Sequence, residues 1–155
     1  MPDTISVPAE APARRSATAG LVRPLVAPAN PGVRLAEIAH EAKLNLRGDL
    51  ADFGAAAGRH AAVTNVTDNW TVIALAGPKA LDVLAKGCPL DLHPRAFPAG
   101  SVAQSMICQA DVVLHRADDV DGVPRLRIYV RRSFAQYLWD WLADAGLEYG
   151  VGSTD

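Results

Sequence analysis

The chain has 155 residues, a net charge of −2, 50% hydrophobic and 21% charged residues, and two cysteines. That balance suits one compact domain or two very small ones and excludes global disorder, a disulfide scaffold and a membrane-spanning helix, since no apolar run approaches the ~18 residues a span needs. It gives no reason to expect nucleic acid or an anionic membrane as partner, and "MPDTISVPAEAPARR" has no apolar signal core, so a reducing cytoplasm is the expected compartment.

Residues 1–32 are rich in Ala and Pro with scattered Arg and read as an extended or disordered arm. It is either a leader or a segment that wraps a partner through Leu21, Val22, Leu25 and Val26. Residues 33–62 read as a strand-helix segment. In it "AKLNLRGD" alternates Leu44 and Leu46 with Asn45 and Arg47 before a Gly-Asp turn. "DLADFGAAAG" follows as a weak helix, capped by Asp49, interrupted by Gly54 and ended by Gly58.

From Asn69 the pattern sharpens. "WTVIALAG" is a β-branched and aromatic run that predicts a buried strand. Pro78 opens a helix, "PKALDVLAKG", with Ala80, Leu81 and Leu84 at helical spacing and Gly87 as its stop. After the connector "GCPLDLHPRAFPAG" come two strand-like runs, "SVAQSMICQADVVLHRAD" and "VPRLRIYVRR". Asp121-Gly122 marks the turn between them, and Pro124 is expected to stretch that loop beyond a minimal hairpin. Ser133 is the expected cap of the last helix, whose Phe134, Tyr137, Leu138, Trp141 and Leu142 make an apolar stripe ended by Gly146; "LEYGV" adds an edge strand. This order predicts an α+β fold over residues 63–155: a split βαβ (ferredoxin-like) sandwich, mostly antiparallel, with helices on one face.

The chemically suggestive residues assemble no self-contained active site. Cys88, His93 and Cys108 lack the close spacing of zinc ligands, and Cys108, inside a predicted strand, reads as a small buried hydrophobe. Cys88 follows the end of a helix, where the dipole disfavours a thiolate. Asp91 and His93 make either an acid–base pair or part of a proline-locked connector whose histidine bonds to backbone; with no serine elbow or partnered base in sight, the connector is the better reading. "DDVDG" lacks calcium-loop spacing, and no phosphate loop or GxGxxG is present. The sequons at Asn65–Thr67 and Asn69–Thr71 are chance matches in a cytoplasmic chain. No catalytic, cofactor-binding or metal-binding residue is therefore assigned. One strand stands out: Leu126, Ile128 and Val130 share one face of it, and Arg125, Arg127, Tyr129 and Arg131 the other. The second face is either simply solvated or an interface for an acidic partner or polyanion.

The phrase "GCPLDLHP", the Phe, Gly and Ala-Gln that follow it, and "RSFAQYLWDWL" further on strongly resemble the gamma subunit of heterotetrameric sarcosine oxidase. The resemblance runs from Val63 to Gly150, with a weaker echo in "VRLAEIAHEAKLNLRGD". It implies a non-catalytic structural subunit of a complex that oxidatively demethylates sarcosine or a related N-methyl amine. It further implies FAD, FMN, NAD and tetrahydrofolate on the alpha and beta chains, zinc on the delta chain, and alpha as the direct neighbour. The implied fold is similar to part of the folate-binding aminomethyltransferase module. Gamma chains of that family are usually longer between "NLRGD" and Val63, so this segment reads as truncated and the substrate as open among sarcosine, dimethylglycine, N-methylglutamate and N-methylproline. The alternative is a free-standing folate-binding, aminomethyltransferase-like protein.

Overall fold

The computed structural model describes residues 31–38, 44–47 and 62–153. Its elements are β1 (Val33–Ile38), β2 (Leu44–Arg47), β3 (Ala62–Asn65), β4 (Trp70–Ala76), α1 (Ala80–Ala85), β5 (Val102–Ile107), β6 (Ala110–Val120), β7 (Val123–Arg131), α2 (Ala135–Ala145) and β8 (Val151–Ser153). Six strands form one sheet in the order β5-β6-β7-β4-β1-β8, and β2 and β3 pair as a separate antiparallel ribbon. Within the large sheet every neighbouring pair is antiparallel except β1 with β8.

Because β7 lies antiparallel between β4 and β6, the unit β4-α1-β6 is a split βαβ. The unit β7-α2-β8 repeats the device with β4 and β1 between its strands. This is the expected ferredoxin-like α+β fold, with β1 inserted beside β4 and β5 added at the far edge. Strand β1 belongs to the 33–62 segment, yet it is an inner strand of the sheet built by the later residues.

The alternation of each strand decides its buried side. Val33 and Leu35 of β1, Ile73 and Leu75 of β4, Val112 and Leu114 of β6, and Leu126, Ile128 and Val130 of β7 face one way. They meet Val83 and Leu84 of α1 and Leu138, Trp139 and Leu142 of α2 in a single core. Burying each such side chain contributes about 1.5–3 kcal/mol relative to exposure.

Several local expectations are corrected. The long run after Gly100 is two strands, β5 and β6, joined by Cys108-Gln109. Cys108 is therefore a half-buried turn residue at φ 50°, not a buried strand residue. The next hairpin is minimal after all: Val120 pairs with Val123, and Asp121 and Gly122 hold φ 52° and 73°, the left-handed pair that matches the twist of a two-residue turn. Pro124 lies inside β7, where its carbonyl accepts the Gly77 N–H at 3.2 Å, and a register shift between Ala117 and Val120 absorbs the irregularity. Pro78 lies in the turn before α1, which starts at Ala80.

Helix α2 buries Ala135, Leu138, Trp139 and Leu142, a stripe rotated from the expected one; Phe134 and Tyr137 are each 39% exposed and meet edge-on at 6.3 Å. Phe134 falls in a 3-10 turn, Arg132–Phe134, and so leaves the stripe, while within α2 the packing surface takes Ala135 and Trp139 in place of Tyr137. Ser133 falls in that turn and is not the cap; Phe134 holds the position and supplies no side-chain hydrogen bond. Of "LEYGV", Leu147–Tyr149 is another 3-10 turn and only Val151 enters β8. The arm up to residue 30 and the helix expected over 49–58 lie outside the described residues.

Candidate functional site

The connector after α1 is a chain of local hydrogen bonds. Asp91 Oδ1 accepts the His93 N–H at 2.9 Å, and His93 Nδ1 in turn accepts the Arg95 N–H at 3.2 Å. The His93 carbonyl accepts the N–H groups of Ala96 and Phe97, each at 2.8 Å. Cys88, Leu92 and Phe97 anchor the segment in the core. Asp91 and His93 thus spend their polar atoms on backbone, as side chains of turn-forming residues do, and not on each other. The Cys88 thiol is buried, with the Ser105 hydroxyl 3.7 Å away. Among the described residues no group of three or more His, Cys, Asp and Glu could hold a metal ion.

The open side of the sheet has a different character. The alternation that buries Leu126, Ile128 and Val130 sends Arg125, Arg127, Tyr129 and Arg131 to the face away from the helices. Cross-strand register gives them their neighbours. Arg125 lies between Ala117 and Ala76, Arg127 between His115 and Ala74, and Tyr129 between Val113 and Val72. Beyond them, Arg34 and Ala36 of β1 pair with Ala76 and Ala74. Ala76 therefore separates Arg34 from Arg125, and Ala74 and Ala117 keep the relief beside Arg125 and Arg127 low. At the β5 edge Val102 and Met106 are 63% and 45% exposed, adding apolar contacts beside the cations.

In a chain of net charge −2, this face gathers Arg34, Arg125, Arg127 and Arg131. At the end nearest the Asp121-Gly122 turn the surface sinks into a pocket of about 390 Å³, whose lining includes Arg34, Arg125, Ala76, Gly77 and Asp121. Gly77 is required there: it holds φ 134°, and a Cβ would come within 2.3 Å of the Gly32 carbonyl oxygen.

Two polar features were missed by sequence reasoning. Arg116 is 2% exposed on the core side of β6, held by Asp119 through Nε at 3.2 Å and Nη2 at 2.8 Å, while its Nη1 has no partner among the described residues. The period-two series Val112, Leu114, Arg116 already assigned it inward. Lys86 pairs with Glu148 and lies 4.9 Å from the centre of the Tyr149 ring. The hydrogen bond and charge of Lys86 hold the Glu148 carboxyl below its ordinary range, and the hydrogen bond to Glu148 holds the Lys86 ammonium above its own. No sequence signal pairs those two, because the contact joins the end of α1 to the turn after α2.

Residues 40–148 match the sarcosine oxidase, gamma subunit family. The chain is 35% identical to sarcosine oxidase subunit gamma of Corynebacterium sp. (strain U-96) over 92 residues, covering 59% of this chain and 43% of that one. To the corresponding subunit of Arthrobacter sp it is 33% identical over 104 residues, covering 67% and 48%. An aminomethyltransferase of Saccharopolyspora erythraea is 33% identical over 87 residues, covering 56% of this chain and 23% of the enzyme. The fold matches a chain of the heterotetrameric sarcosine oxidase of Corynebacterium sp. U-96, in complex with pyrrole 2-carboxylate, with a TM-score of 0.57 and 32% identity, covering 66% of this chain and 50% of that one. The aligned region thus spans about half or less of the length of these relatives. By the match over residues 40–148, the chain belongs to the sarcosine oxidase gamma subunit family.

Proposed function

We propose that this chain is a non-catalytic structural subunit of a heterotetrameric, sarcosine oxidase-type flavoenzyme complex that oxidatively demethylates sarcosine or a related N-methyl amine. The observation that carries this reading is the agreement of a family match over residues 40–148 with the fold of a heterotetrameric sarcosine oxidase chain. The expected partners are alpha, beta and delta chains, with alpha in direct contact through Arg125, Arg127, Tyr129 and Arg131. Low relief, guanidinium forks and a tyrosine are features of a surface made for a protein partner. FAD, FMN, NAD and tetrahydrofolate are assigned to the partner chains. Zinc is assigned there too.

We place the complex in the cytoplasm; among the described residues no helix is long and apolar enough to cross a membrane. The six-stranded sheet, β1 included, is proposed as the folding unit that carries the docking face. The 33–62 segment is a shortened version of the family's first half-domain. N-methylglutamate, N-methylproline and dimethylglycine remain substrate candidates beside sarcosine. Kinship to aminomethyltransferases supports a second reading, a free-standing folate-binding protein.

A tagged copy purified from its native cells tests both. A yellow complex with two larger chains and a small one is the expected result, and assays with N-methyl amines then name the substrate. A colourless monomer that binds tetrahydrofolate saturably would overturn the subunit reading in favour of the second.

A further inference from the structure

Arg34 and Arg125 stand on either side of Ala76: the register pairs Arg34 with Ala76, and Ala76 with Arg125. Two strand spacings put their α-carbons roughly 10 Å apart. From there both long side chains can swing over the Ala76 methyl, and two planar forks can grip one carboxylate between them. Both line the same pocket, and both are exposed. Among the described residues neither arginine has a hydrogen-bonding or ion-pair partner. Asp121 also lines the pocket but is paired with neither, which leaves two guanidinium groups against one carboxylate.

We propose that this pocket is a carboxylate-binding subsite, a two-arginine clamp that receives an aspartate or glutamate side chain of the large partner chain as the complex assembles. The inference rests on the subunit reading above. Two observations select a partner side chain as the occupant. The pocket is continuous with the docking face, sharing Arg125 and Ala76 with it. The face also concentrates arginine in a chain of net negative charge, so its complement is an acidic surface. Asp121 sets an upper limit on the clamp's attraction and makes the site tunable.

The test is competitive assembly in the native cells. Each tagged variant is co-expressed with untagged wild-type chain, and the ratio incorporated into the purified complex is read by mass spectrometry. Circular dichroism of each variant confirms its fold. The double variant Arg34→Glu/Arg125→Glu is expected to incorporate on the order of 100-fold less than wild type, with the Lys/Lys variant between them. Asp121→Asn is expected to incorporate several-fold better, because asparagine tolerates the positive φ of that turn while removing the opposing charge.

Equal incorporation of wild type and all variants would overturn the clamp and leave the subunit reading standing. Wild-type chain that brings down no partner overturns both. Saturable succinate binding by the isolated chain, lost in Arg34→Glu/Arg125→Glu and without effect on assembly, would overturn the partner side chain as occupant.

Discussion

Strand β7 has two faces built from interleaved residues with opposite duties. Leu126, Ile128 and Val130 are at most 1% exposed against the helices, while Arg125 and Arg131 are exposed on the other side. One peptide unit separates the two environments. The core face contributes stability because it is shielded from water; the exposed arginines on the other face contribute little to it. On the proposed subunit reading, changes on one side of this strand should unfold the protein and changes on the other should detach it from its partners.

The largest effect is expected from breaking the core face. Leu126→Ala should lower the unfolding free energy by about 2–5 kcal/mol, read from chemical denaturation, because the site is surrounded by other buried side chains and cannot collapse. Next comes Asp119→Ala, which strips Arg116 of its carboxylate. Asp119 is 38% exposed, so water can partly replace it, and a loss of about 1–3 kcal/mol is expected. A variant as stable as wild type would mean that the guanidinium finds another acceptor.

The open face should behave in the opposite way. Arg131→Ala is expected to change stability by no more than ~0.5 kcal/mol. Arg127→Glu with Arg131→Glu should weaken assembly and remove part of its salt dependence, measured by retention of partner chains across a NaCl series. A large stability loss from Arg131→Ala would erase the distinction between the faces.

The smallest effect concerns pH, at the Lys86–Glu148 contact on the exposed rim. Glu148 titrates below its unfolded value, so its contribution is present above about pH 4.5 and is lost as pH falls through the folded value. Lys86 titrates above its unfolded value, so its contribution is complete below about pH 10.5 and fades as pH rises through the folded value. Lys86→Met should flatten both limbs of a plot of Tm against pH slightly. An unchanged profile would show that solvent screens the pair completely.

Much of this was legible in residue order. The buried strand at Trp70–Ala76, both helices and the two-faced pattern of β7 follow from local periodicity, which is a property of consecutive residues. The connector was also readable, since proline and turn-forming side chains act within a few residues of themselves. Errors gathered where a short irregular segment reset the count. The 3-10 turn before α2 took Phe134 out of the apolar stripe, and Cys108-Gln109 divided one apparent strand into two.

What the sequence determined by itself was the type of β4, α1, β7 and α2 and the buried side of β7, because hydrophobic alternation is repeated along the chain and needs no partner to be read. The tertiary structure decided which elements lie side by side. It set β1 between β4 and β8, brought Arg34 next to Ala76 and Arg125, and closed Lys86 onto Glu148. Such pairings join residues far apart in the chain, and they emerge only when the whole sheet chooses its strand order through shared burial of one core.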